Sequence, residues 1–331
     1  MTTWIQISNQ EALLSWDQML MGFSDASIYQ SYFWGEYRGK LGWQVQRWRA
    51  VSENGDTRAL AQVLVKKYPM NCAVVWCWGG PVGDLELVNE DFCETLKSCL
   101  DVKRIYIKIL PQRVYHVDDV ITLKYNNWVR SPFSLGTSLT YVLSLKEPLE
   151  ILQKNLARLW KRSLKKFVEA GCTIQVWANP DLHEVFELLS KMEKIKNIGE
   201  QFSKKSLECL FELGSKSIVL LQARDKNGIL VGMRACIYFQ HHALDLIAAV
   251  NEVGRDVSAG YALLWQLIQT SRDRGALDYD MGAIDPHHNK GVFHFNRGTG
   301  AEPFGYLGEW EWSNSRLLKF LIELKVRLGR K

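Results

Sequence analysis

Alternating and amphipathic runs recur along this chain in an order that is met twice. WIQIS alternates apolar and polar side chains and reads as a short strand; after Asn9, EALLSWDQML spaces its apolar residues as a helix does. Near residue 173, TIQVWA and, after Asn179, PDLHEVFELLSKM repeat that pair at an offset of about 170. VQRWRAV and TRALAQVLVKKY flank ENGD, and the Asn54-Gly55 step signals a tight hairpin, because both residues tolerate the positive φ that such turns demand. IVLLQAR and ILVGMRACIYF flank DKNG in the same way, with Asn227-Gly228 lying 173 positions further on. Each hairpin is followed by a third strand (CAVVWCW, ALDLIAAV), a helix over roughly 88–100 or 259–274, and a last strand (RIYIKI, LDYDM).

Each half is thus a strand, helices, a three-stranded meander, a helix and a strand, an α/β layer that differs from a Rossmann winding. It is the order of the GNAT acyltransferase fold. The expected class is α/β (α+β) with two tandem GNAT-like domains, 1–145 and 146–315, and 331 residues suit two domains better than one. SLGTSLTYVLSLKEPLE crosses between the copies, and the basic helix NLARLWKRSLKKFVEAG leads into the second. Residues 316–331 form an amphipathic helix, with Leu317, Leu318, Leu321, Leu324 and Leu328 near helical spacing, which is expected to pack back on the first domain.

Hydrophobic residues at 47% and charged residues at 23% fit a soluble globular chain and exclude a disordered one. Seven cysteines without a C-x-x-C pair read as reduced, mostly core residues. No run reaches the roughly 18 apolar residues of a membrane span, and MTTWIQISNQEALL lacks the basic start and apolar stretch of a signal peptide, so a cytoplasmic protein is expected. A monomer is expected as well. The net charge of +5 hides segregation: 154–168 carry six basic and no acidic residues, 191–205 five against two, and 316–331 six against one. Those windows hold +14 and the remainder −9, a distribution that suits a polyanionic ligand such as RNA or phosphate, although solvated helix faces account for any one run equally well.

YQSYFWGEYRGKLGW (29–43), RLWKRSLKKFVEAGCTIQV (158–176) and GYALLWQLIQTSRDRGALDYDMGAIDP with GVFHFNRGTG (260–300) resemble the Fem family over nearly the whole length. That family moves an amino acid from aminoacyl-tRNA onto a peptidoglycan precursor and is built from two GNAT-like domains. The coiled-coil arm of some members would follow about residue 195, where there is no room for it. The resemblance is therefore to the short, arm-less type, which implies a UDP-linked muramyl pentapeptide as acceptor. Arg38, four residues after Trp34, stands where short members have a Lys that meets the precursor's pyrophosphate, and its planar fork suits phosphate. Phe295-Asn296, followed by Arg297, replaces the family's Phe-Lys, Leu110 precedes Pro111 where a carboxylate is common, and Lys204 or Lys205 stands in for a mid-chain Arg. Tyr261 corresponds to a family Tyr that touches the precursor.

Aminoacyl transfer to an amine needs placement and oxyanion donors more than a protein nucleophile, since the ester is already activated. The chain has no G-x-S-x-G elbow and no metal-ligand spacing; adjacent His287-His288 point to opposite sides of an extended segment, and neither metal nor cofactor is expected. The catalytic candidates are Asp280, Asn296 and Arg297, with Asp280 alternatively satisfying backbone donors beside Gly282. Substrate-binding candidates are Arg38, Trp34, Lys204, Lys205 and Tyr261, with Trp34 alternatively a core anchor and Tyr261 a half-buried helix residue. For tRNA or phosphate they are Lys290, Arg297, Phe293, Arg158 and Arg162, cations and a stacking ring suited to a single-stranded acceptor end. Three alternatives stay open: acyl-CoA as donor, although VSAGYA (257–262) has Val257 where that loop wants a basic residue; tRNA-dependent transfer to a small-molecule or peptide amine; and RNA binding without catalysis.

Overall fold

The computed structural model describes residues 2–133, 138–196, 199–287 and 289–328. The strands are β1 (Thr3–Ile7), β2 (Gln44–Val51), β3 (Thr57–Tyr68), β4 (Cys72–Gly79), β5 (Val82–Gly83), β6 (Arg104–Pro111), β7 (Val129–Arg130), β8 (Leu139–Ser144), β9 (Thr173–Val176), β10 (Ile218–Arg224), β11 (Leu230–Phe239), β12 (His242–Val250), β13 (Asp278–Ala283), β14 (Glu302–Gly305) and β15 (Trp310–Ser313). The helices are α1 (Asn9–Leu20), α2 (Tyr32–Lys40), α3 (Glu90–Leu100), α4 (Val117–Tyr125), α5 (Leu149–Asn155), α6 (Arg158–Glu169), α7 (Leu182–Lys196), α8 (Lys204–Gly214), α9 (Glu252–Asp256), α10 (Ala259–Asp273), α11 (Lys290–Arg297) and α12 (Arg316–Leu328). The chain forms two units, one of residues 1–138 with 305–331 and one of residues 139–304.

In the first unit the sheet runs β1-β2-β3-β4-β6-β15-β7, with β5 beside β3. Both hairpins form at their Asn-Gly steps, with Gly55 at φ 87° and Gly228 at φ 79°. Alternate residues of β3, β4 and β6, among them Val63, Val75 and Ile107, point to the face covered by Phe92, Leu96 and Leu100 of α3. Each of those three side chains contributes about 1.5–3 kcal/mol by leaving water. Asn89 starts α3 by accepting from the Phe92 N–H, and Asp101 ends it in the left-handed region. Two fully buried tryptophans of this unit have their polar tips satisfied: the indole N–H of Trp16 donates to Gln30 O at 2.6 Å and that of Trp128 to Val88 O at 2.7 Å. α12 lies on β6 and β15, where Leu318 packs with Cys72, Val74 and Tyr106 and Lys319 pairs with Glu311 at 2.9 Å. Of the five leucines at helical spacing in α12, only Leu318 is buried.

In the second unit the order is β14-β8-β13-β12-β11-β10-β9, with α10 packed on β11 and α6 on α10. The closing strand of each repeat, β6 or β13, leaves one edge open, and in both cases chain from beyond the repeat fills it. β8, which the repeat assigned to the first domain, pairs with β13, and β15, assigned to the second, pairs with β6. The units consequently divide at 138/139 and 304/305. An unpaired strand edge is a row of unsatisfied donors and acceptors, which any short segment of suitable reach can occupy.

Candidate active site

The second unit holds the more open arrangement. β12 and β13 are parallel and share only three register pairs, His242↔Asp278, Ala243↔Tyr279 and Leu244↔Asp280, before they separate. Bulges sit at the point of parting, one on β12 opposite Ala235 and Cys236 and one on β13 between Asp280 and Ala283. Asp280 fixes the β13 bulge: its Oδ1 accepts the Gly282 N–H at 2.8 Å and lies against the Thr140 hydroxyl, which also reaches Gly282 O. That atom is thereby committed to neighbouring donors.

Behind the parting strands is a buried network that the motifs did not reveal. Arg234 of β11 grips Asp245 of β12 with two hydrogen bonds, 2.7 and 2.8 Å, and the Tyr279 hydroxyl donates to Asp245 Oδ1 at 2.8 Å. Burial opposes the Arg234 charge, but Asp245 outweighs it and holds its pKa above the ordinary value. Burial and the Asp245 charge push Tyr279 well up, so it stays a hydroxyl donor. The available signal was an Arg inside the apolar run LVGMRACIYF and an Asp inside ALDLIAAV. At the end of α7, burial and the nearby Arg234 and Arg255 charges pull the Lys196 pKa down, which marks this region as electropositive.

Phe295 lies over Arg234, with the guanidinium 5.5 Å from its ring centroid, and forms a three-ring cluster with Trp160 and Tyr261 at 4.8–4.9 Å. The Trp160 N–H donates to Phe295 O at 2.9 Å, and a Cβ on Gly298 would come within 2.5 Å of the Trp160 ring, so the turn after α11 needs a glycine. The end of α11 also meets β13, where the Thr299 hydroxyl contacts Met281 Sδ at 3.6 Å. In this setting Asn296 is 1% exposed, and among the described residues neither its Oδ1 nor its Nδ2 has a hydrogen-bond partner. A buried unpaired amide costs about 1–3 kcal/mol. Such a group calls for an explanation, and a ligand that completes it supplies one.

The remaining second-unit candidates lie on the surface. Arg158 and Arg162 are exposed on α6, whose Trp160 enters the ring cluster, and Lys290 and Arg297 are exposed at the two ends of α11. Phe293 is half-buried against Tyr141 at 5.7 Å. Lys204 and Lys205 are exposed at the start of α8, away from the ring cluster in sequence and contact. His287 is exposed, and His288 lies outside the described residues.

In the first unit, α2 begins at Ser31, whose hydroxyl accepts the Trp34 N–H. Gly35 lets this helix approach the buried Arg47–Gln62 pair, since a Cβ there would sit 2.3 Å from Gln62 Oε1. Trp34 stands edge-on to Tyr29 at 4.9 Å, and Tyr29, Trp78, Trp76 and Trp43 continue as a row of rings at 5.3–6.4 Å. Arg38 lies 5.6 Å and Lys66 4.4 Å from the Trp43 ring. Burial pulls the Arg38 pKa down, and its Nε and the Trp76 Nε1 are both buried without partners. Tyr29, Trp34 and Trp43 belong to the 29–43 motif, whereas Trp76 and Trp78 carried no motif. Beside α2 a cavity of about 600 Å³ is lined by Glu36, Gly39, Trp43 and Gln46. Leu110 borders a small pocket whose acid, Glu309, is committed to Lys108 at 2.9 Å.

Fold and site together define the class: an acyltransferase built from two GNAT-like domains. Residues 154–295 match the acetyltransferase (GNAT) domain family. Among solved structures the chain is similar to FemX, at 16% identity and a TM-score of 0.83, over 97% of this chain and 100% of that one. It is also similar to a tandem GNAT protein from the clavulanic acid biosynthesis pathway (13% identity, TM-score 0.58, 95% and 99% covered). A third likeness is to L-PGS from Bacillus licheniformis (15%, 0.55, 90% and 92%). No curated protein sequence matches the chain significantly. The fold is the tandem GNAT fold of FemX, without a coiled-coil arm between α7 and α8.

Proposed function

We propose that the protein transfers an aminoacyl group from aminoacyl-tRNA to the side-chain amine of a peptidoglycan precursor, a UDP-linked muramyl pentapeptide. The observation that carries this reading is the buried, unpartnered Asn296 near the end of α11, three residues before Thr299, which touches Met281 of β13, in a chain that follows the fold of FemX over 97% of its length. The neutral amine attacks the ester carbonyl, and a C–N bond forms. The C–O bond to the tRNA ribose then breaks, and the amine's proton passes to the departing ribose oxygen. Asn296 donates its amide N–H to the oxyanion that develops between these events, as a preorganised donor in a water-poor site does.

Tyr261 borders the reacting centre, while Arg297, Lys290, Phe293, Arg158 and Arg162 meet the phosphates and bases of the tRNA end. Arg38 and Trp34 hold the precursor's pyrophosphate and its neighbouring groups. Asp280 acts by keeping the β13 bulge in place. The test is transfer of a labelled amino acid from a panel of charged tRNAs to the UDP-linked pentapeptide; no transfer from any of them would overturn the reading. A second reading, acyl-CoA as donor, draws on the GNAT match over 154–295 and the open β12/β13 pair. Calorimetric binding of CoA, together with transfer from acyl-CoA, would establish it in place of the first.

A further inference from the structure

α12 carries two apolar stripes. One, with Leu318 and the half-buried Ile322, rests on the sheet beside Cys72, Val74 and Tyr106. The other faces solvent: Leu317 is 61%, Phe320 59%, Leu321 46%, Leu324 40% and Leu328 58% exposed. At 100° per residue these five side chains fall within one face of about 100°. Arg316 and Arg327 flank that face on one side, and Lys325, whose Nζ lies 5.9 Å from the Tyr68 ring centroid, flanks it on the other; long cationic stems at such positions can run along an apolar stripe with their heads in water. The only acid of the helix, Glu323, belongs to the inner side, within 3.8 Å of Lys319, which itself holds Glu311. Exposed Lys103 and Arg104 adjoin the start of the helix through Asn314, which bonds Lys103 O and the Ile105 N–H.

An apolar stripe bounded by cations, with no anion on its side of the helix, is complementary to one kind of surface: acyl chains beneath anionic headgroups. We infer that α12 seats the protein on an anionic lipid bilayer, lying in the interface plane. The helix does not cross the bilayer, since no helix among the described residues is long and apolar enough to do so. An acidic protein partner would satisfy the cations, but it would leave five large apolar side chains without a matching slab of hydrocarbon.

The test is sedimentation of the full chain with vesicles of phosphatidylcholine alone or with about one-third phosphatidylglycerol. Binding to the anionic vesicles should exceed that to neutral ones by at least about tenfold and fall as salt is added. The double variant Phe320→Asp/Leu324→Asp should lose at least about tenfold, and Arg316→Ala and Arg327→Ala roughly fivefold each. All four side chains are exposed, so the unfolding midpoint should not move. Absence of binding to anionic vesicles at low salt would overturn the inference, as would full binding by the double variant. A dimer abolished by the double variant, in a protein that ignores vesicles, would assign the face to a second copy of the chain.

Discussion

The two units share one plan and differ at one place. In the first, β4 and β6 stay paired through eight register positions, from Cys72↔Arg104 to Gly79↔Pro111, without a shift. In the second, the corresponding β12 and β13 part after three, and bulges stand at the parting. A closed parallel pair satisfies its own backbone groups and offers a ligand only its flat faces, here the row of rings from Trp43 to Trp34 with Arg38 beside it. An opened pair leaves part of each facing strand edge outside their shared ladder. Beside the opening lie the buried Arg234, Asp245 and Tyr279, whereas the buried polar pairs of the first unit, Arg47–Gln62 and Lys108–Glu309, accompany a ladder that stays closed. The same meander thus stays closed in one copy and opens in the other, and the proposed function assigns gripping to the first and reaction to the second.

The sharpest way to break this comparison is to remove the support of the opening. Asp245→Ala leaves the Arg234 charge buried without its partner, and such losses amount to about 3–5 kcal/mol. Denaturant unfolding should show that loss; a change below about 0.5 kcal/mol would mean that the opening stands without the network. Next in size is Asn296→Leu, which removes an amide with no partner. Stability should hold or rise, while the transfer rate should fall roughly 100- to 1,000-fold. Loss of stability without loss of rate would reverse the assignment.

Arg38→Gln tests the gripping role of the first unit. A charge-assisted contact contributes about 1.5–3 kcal/mol, so KM for the precursor should rise by tenfold or more with kcat little changed. An equal fall in kcat would place Arg38 at the reaction itself. The smallest effect belongs to His242, whose pKa the 2.8 Å hydrogen bond to Asp278 raises from its ordinary value of 6.5. A group whose folded pKa is raised stabilises the fold fully below pH 6.5, and that contribution disappears as pH climbs through the folded value. The imidazole titration followed by NMR should therefore centre above 6.5 and move back toward it in Asp278→Asn.

Much of this was legible in the chain. The Asn54-Gly55 and Asn227-Gly228 turns announce themselves because few residues accept their backbone angles, and the strand–helix alternation needs only periodicity. Trp16, Trp128 and Trp160 are buried, and their indoles each reach a backbone carbonyl. The exchange of β8 and β15 was not legible, because a strand of four to six residues carries no label for the edge it will fill. The leucines of α12 showed a helix but not that two faces would be apolar, with Leu318 alone turned inward.

By itself, then, the sequence determined what local chemistry dictates: the turns, the elements, their doubled order, and the basic segments. Only the tertiary structure decided which polar groups would be taken out of water. Arg234 and Asp245 lie eleven residues apart on adjacent strands, and Asn296 is one more polar residue in its segment until the packed fold leaves it 1% exposed. Burial is a property of the whole packing, and it is burial that turns an ordinary amide into an unsatisfied one.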